Sequence, residues 1–230
     1  MILTSTGAVL TNAHVVNNAS NVTVRVVATG QTFPANIVSS DTTADVAVIQ
    51  LLGASGLQTV HVADSNTVKV NDVVTGVGNA LGLGGTPHSA TGLVQELGKQ
   101  ISEVDDTGAI HVASGMIQMS APIVPGYSGG PLYNANGLVV GMDSAGNSST
   151  PAQSYAIPID AALTVANQQA GGSGASQATP PPVAPGTTTP PVATGTTPPG
   201  GAGQTNAANP PALAGTTSGG TEWTTGSGAN

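Results

Sequence analysis

The stretch Pro125-Gly126-Tyr127-Ser128-Gly129-Gly130-Pro131-Leu132 places a serine in a tight turn framed by glycines. Glycine has no Cβ, so backbone can approach closely there and take the positive φ that sharp turns need. Such a turn can aim several N–H groups at one point in front of the hydroxyl, where negative charge develops on a carbonyl oxygen during acyl transfer. Read alone, the segment is equally an ordinary surface turn, because glycine and serine abound in this chain. Its meaning depends on partners elsewhere.

Two partners lie upstream. Thr11-Asn12-Ala13-His14-Val15-Val16 follows the apolar run Ala8-Val9-Leu10, so His14 falls where a strand ends and the chain bends. Asp45 directly precedes the apolar run Val46-Ala47-Val48-Ile49-Gln50-Leu51. Ser128 is a weak nucleophile without a base in hydrogen-bond reach, and a histidine titrating near neutrality can be that base. The imidazole in turn needs a carboxylate to hold its tautomer and offset its transient charge. Asp45 is the candidate for that task. Asp41 is its rival but precedes a polar stretch, not the strand. The oxyanion would be held by the N–H groups of Gly126 and Ser128.

Gly7-Ala8-Val9-Leu10-Thr11-Asn12-Ala13-His14-Val15-Val16, Asp45 to Leu51, Gly78-Asn79-Ala80-Leu81-Gly82-Leu83 and Gly126 to Leu132 stand in this order along the first 165 residues. Together they resemble the HtrA/DegP-like trypsin-fold serine proteases, with the closest likeness to secreted actinobacterial members. The resemblance implies an all-β, chymotrypsin-like pair of six-stranded barrels over residues 1–170, with His14, Asp45 and Ser128 as catalytic triad and no cofactor. It implies that Ser144, Ala145 and Gly146 bind an extended substrate backbone. Polypeptides, unfolded or from the cell envelope, would be the substrates, in an extracytoplasmic location and with homo-oligomeric assembly.

Four departures stand out. Residues 171–230 hold nothing like the PDZ domain that relatives usually carry after the protease domain, so regulation through one is not expected. The chain opens at Met1-Ile2-Leu3 in the middle of what is a hairpin in relatives, so the first barrel is expected to lack its N-terminal strand, and the opening residues are not expected to act as a signal peptide. Tyr127 stands where relatives carry asparagine or aspartate, and Ser120 where aspartate is common. Pro122 matches the position that is acidic in trypsin, so medium apolar residues before the scissile bond are expected instead of lysine or arginine.

Strands are expected at Val22 to Val27, Phe33 to Val38, Val46 to Leu52, Val73 to Val77, Thr91 to Leu97, Met116 to Met119, Gly137 to Met142 and Ser154 to Ile159, with a closing helix from Ile159 to Gln169. Beyond residue 170 the composition changes. Ten of the seventeen prolines fall there with a single charged side chain, Glu222. Such a segment cannot bury enough apolar surface to offset its ordering entropy, so 171–230 is expected to be a disordered or PPII-like tail.

Charge and composition exclude other classes. Arg25, Lys69 and Lys99 are the only cations against eleven acidic residues, too few to neutralise phosphates, so nucleic acid is not expected as a partner. No apolar run is long enough to span a membrane. Cysteine is absent, and His61, His88 and His111 have no spacing that gathers them as metal ligands. Two functions remain: a serine endopeptidase working through an acyl-enzyme, or an inactive trypsin-fold protein that binds peptides or serves at the surface.

Overall fold

The computed structural model describes residues 1–104, 110–146, 153–170 and 221–225. Two sheets carry the chain. The first has strand order β1-β4-β3-β2-β11, formed by β1 (Ala8–Thr11), β2 (Val22–Val26), β3 (Thr32–Asp41), β4 (Val46–Leu51) and β11 (Thr221–Thr225). The second is a closed six-stranded barrel of β5 (Val73–Gly78), β6 (His88–Val104), β7 (Ile110–Met119), β8 (Pro131–Asn134), β9 (Val139–Gly146) and β10 (Ser154–Pro158). The all-β expectation therefore holds, with two sheets of which the second closes into a six-stranded barrel. The first sheet, however, is open among the described residues.

Alternation explains the first sheet. In β2 the residues Val22, Val24 and Val26 are buried while Arg25 is exposed, so one face meets the core and the other meets water. Packed beneath are Val9, Ala47, Ile49 and Leu51. A separate apolar cluster lines the second barrel, including Val74, Val94, Ile117, Met119, Tyr127 and Leu132. A third joins Leu10 and Val46 of the first sheet to Met142 and Ile157 of the second and to α2 (Ile159–Ala170), which contributes Ile159, Ala162 and Ala166. Those three share one stripe at helical spacing. The helix is fastened at its start by Asp160, whose carboxylate accepts from Ser65 N–H and Oγ, each at 2.7 Å.

Three features of the fold were not visible as periodicity. The expected strand Thr91 to Leu97 is the middle of the 17-residue β6, which pairs with a longer β7 than expected. Register shifts between Val94 and Ile101, with Gly98 at φ 71°, interrupt the alternation that would have revealed its length. Short β8 was hidden by its proline. Within the tail, Thr221–Thr225 pairs antiparallel with β2, setting Trp223 opposite Val24 and Glu222 opposite Arg25. Its run of threonine and tryptophan, free of proline and glycine, has a strand preference that the average tail composition conceals. Residues 171–220 and 226–230 of the tail lie outside the described residues.

Candidate active site

Register brings His14 to Asp45. β1 and β4 pair antiparallel with Thr11 opposite Ala47, so the chain leaving β1 meets the residue that enters β4. There it forms the single helical turn α1 (Ala13–Val16). Asn12 occupies the N-cap position, but its side chain does not cap: its Nδ2 donates to the Asp45 carbonyl at 3.0 Å. The Asp45 carboxylate takes over instead, accepting from the His14 N–H at 3.0 Å. A carboxylate at a helix N-terminus is favoured both by the free N–H groups and by the dipole. The same carboxylate meets His14 Nδ1 at 2.9 and 3.0 Å. Asp45 has φ 53°, a left-handed conformation that aspartate and asparagine tolerate better than most residues. Asp41 has a different task, its Oδ1 accepting from Thr43 N–H and Ala44 N–H and shaping the turn before β4.

Ser144, near the end of β9, connects this pair to Ser128. Its Oγ donates to Asp45 Oδ2 at 2.9 Å, and its carbonyl accepts from Ser128 Oγ at 3.0 Å. Ser144 was singled out in the sequence as a substrate contact, and its bridging position could not be read there because 99 residues separate it from Asp45. Beyond Met142, β9 no longer pairs with β8, so Ser144, Ala145 and Gly146 have one edge without a partner strand among the described residues.

The turn carrying Ser128 is held from several sides. Tyr127, a departure from the family pattern, is 4% exposed and packs into the second-barrel core, where burial raises its phenol pKa. Ser120 also departs, and it is tied to β6 by accepting from Leu93 N–H through Oγ at 2.9 Å. The segment Asn79 to Leu81 clamps the turn, with Leu81 N–H donating to the Pro125 carbonyl at 2.7 Å and Asn79 N–H to the Gly126 carbonyl at 2.9 Å. Since a trans peptide points its N–H away from its C=O, fixing the Pro125 carbonyl on Leu81 turns the Gly126 N–H to the opposite side. Neither the Gly126 nor the Ser128 N–H meets an acceptor among the described residues. Both stay available.

His61 and His88 do not join this site, the side chain of His111 lies outside the described ones, and no group of three or more His, Asp or Glu gathers as a metal centre among the described residues. No helix among them is long and apolar enough to cross a membrane.

The profile of the trypsin-like peptidase domain matches residues 1–142. The chain belongs to the trypsin-like peptidase family. Serine protease PepD of Mycobacterium tuberculosis is 34% identical over 186 residues, which cover 73% of this chain and 40% of PepD. The periplasmic pH-dependent serine endoprotease DegQ of Escherichia coli is 36% identical over 172 residues, 73% of this chain and 36% of DegQ. Among solved structures, the HtrA-type protease AlgW with decapeptide matches with a TM-score of 0.64 at 28% identity, over 74% of this chain and 50% of that one. This peptidase domain is therefore homologous to the HtrA-type serine proteases. It spans about two fifths of the length of these curated relatives.

Proposed function

We propose that the chain is a serine endopeptidase that cleaves polypeptides through an acyl-enzyme, with His14, Asp45 and Ser128 as its triad. The observation that carries this reading is the hydrogen-bonded chain from His14 through Asp45 and Ser144 to Ser128. In the reaction the Ser128 hydroxyl turns from the Ser144 carbonyl to His14 Nε2 and gives up its proton as Oγ attacks the scissile carbonyl. Asp45 keeps the Nδ1–H tautomer of His14 and stabilises the imidazolium that forms. The free N–H groups of Gly126 and Ser128 receive the oxyanion. His14 then protonates the leaving amine, and water, activated by the same base, releases the acyl group. The substrate main chain adds along the unpartnered edge of Ser144 to Gly146.

Substrates are unfolded or envelope polypeptides met outside the cytoplasm by a homo-oligomer. The similar DegQ, a periplasmic endoprotease, supports the location.

A fluorophosphonate probe tests the reading on the full chain. Covalent labelling mapped to Ser128 by mass spectrometry is expected. Absence of labelling in a sample with native circular dichroism would favour the inactive, peptide-binding alternative.

The oxyanion assignment has its own test in Gly126→Ala. Gly126 has φ 96°, and a Cβ there would overlap the Asn79 carbonyl oxygen. Relief requires the Pro125–Gly126 peptide to move, which removes one donor and is expected to slow labelling about a hundredfold to a thousandfold. A rate within threefold of the parent would remove Gly126 from the oxyanion hole.

A further inference from the structure

Asp143 stands out as a buried acid with no task in the mechanism above. Its backbone clasps the nucleophile turn beside Ser128: the Gly129 N–H donates to the Asp143 carbonyl, and the Asp143 N–H donates to the Gly130 carbonyl, each at 2.9 Å. The next residue along β9 is Ser144, which bridges Ser128 and Asp45. The side chain runs the other way, toward the second-barrel core, and the residue is fully buried. Space for it exists because residue 76 is glycine: a Cβ there would lie 2.5 Å from Asp143 Oδ2 and 2.6 Å from Ile123 Cδ1.

Neither carboxyl oxygen has a hydrogen-bond partner among the described residues. From β5 the Val77 N–H lies close enough to favour the charged form slightly, without closing a hydrogen bond, and from β10 the residue opposite is Ala156. Among the described residues, the only titratable group facing it is the Tyr127 phenol on the nucleophile turn, itself uncharged. No cationic side chain among the described residues compensates it. An ionised carboxylate in such surroundings is far costlier than the carboxylic acid, and burial pushes Asp143 well above the usual carboxylate range.

We propose that Asp143 is a positioning residue for the nucleophile turn that fills this role only as the uncharged acid, so that acylation of Ser128 is lost when it ionises. A carboxylate there is relieved by moving toward water or by admitting water. Either movement pulls on the backbone at Asp143, and with it Gly129, Gly130 and the Ser144 carbonyl that set the place of Ser128. The inference rests on the serine-peptidase reading, and its test separates the two.

The experiment compares the rate of fluorophosphonate labelling across pH for the parent chain and Asp143→Asn, an uncharged side chain of the same shape. For the parent, labelling is expected to rise as His14 loses its proton and to fall again at higher pH. The Asn variant is expected to keep the rise and lose the fall. The same falling limb in both, or none in the parent, overturns the proposal.

Thermal melting gives a readout that needs no chemistry at Ser128. The folded-state pKa lies above the unfolded value of about 3.9, so the native state holds the extra proton. The stability Asp143 contributes is full below about pH 4 and is lost as pH rises through the raised value. Parent and variant melting curves are expected to diverge over that window, and parallel curves would sink the inference even if no probe reacted. Should Asp143→Asn not fold, the parent alone decides. The infrared carbonyl band of a protonated carboxylic acid should persist above the pH at which ordinary carboxylates have ionised, and loss of that band at the usual carboxylate pH overturns the claim.

Discussion

Ser128→Ala is expected to lower kcat on a cleavable polypeptide by roughly a millionfold, the scale seen when a triad nucleophile is removed. Its hydroxyl is the proposed nucleophile, while the free N–H groups of Gly126 and Ser128 serve the oxyanion, and alanine leaves those donors in place. Substrate binding along Ser144 to Gly146 should therefore survive while acylation stops. The folded state should change little, because the lost contact is a single hydrogen bond to the Ser144 carbonyl, with a net contribution of about 1 kcal/mol. Peptide hydrolysis measured beside peptide affinity checks this. Turnover above one per cent of the parent would mean that another group is the nucleophile, and equal affinity with no turnover in either protein would favour the peptide-binding alternative.

The second large effect is expected at Asp45. Asp45→Asn should lower kcat about ten-thousandfold, the magnitude that the general triad template gives for this change. Here the carboxylate accepts from His14 Nδ1, the His14 N–H and Ser144 Oγ. An amide presents at most one oxygen to these donors. If its NH2 faces His14, the imidazole is driven to the tautomer with Nε2–H, which cannot take the Ser128 proton. Asparagine is the informative replacement because it tolerates the left-handed backbone at residue 45 almost as well as aspartate, whereas alanine would add strain. The measurement is kcat and KM on one peptide, with melting temperature as a control for folding. A loss below tenfold would show that His14 is oriented by something other than this carboxylate.

Much of the candidate site was legible because its residues sit at strand ends. The apolar runs Ala8 to Leu10 and Val46 to Leu51 are regular, and antiparallel pairing of two such runs brings the end of one to the start of the other. His14 and Asp45 could thus be proposed as partners from sequence. Ser128 was legible through its glycines. Less visible was everything that depends on contact across the two sheets. Asn12 stands at the N-cap position of α1, yet its side chain serves the Asp45 carbonyl. Tyr127 and Ser120 read as departures from the family pattern, yet each has an anchor, the barrel core for one and β6 for the other. Asp143 carried no signal at all, since an aspartate within an apolar strand gives no hint of whether a partner waits in three dimensions.

By itself, the sequence determined the all-β class, the strands that alternate or run apolar, the chain order of histidine, aspartate and serine, and the change of composition after residue 170. These are local or statistical properties, set by side-chain period and turn chemistry along a few residues. Tertiary structure alone decided that Ser144 joins Asp45 to Ser128, that the Asn79 to Leu81 segment orients the Pro125–Gly126 peptide, and that Asp143 is closed off without a partner. Each joins segments far apart in the chain, or, for Asp143, rests on what the fold packs around one side chain. Hydrogen-bond direction and burial at such junctions follow from strand register and barrel closure, which no short window of sequence contains.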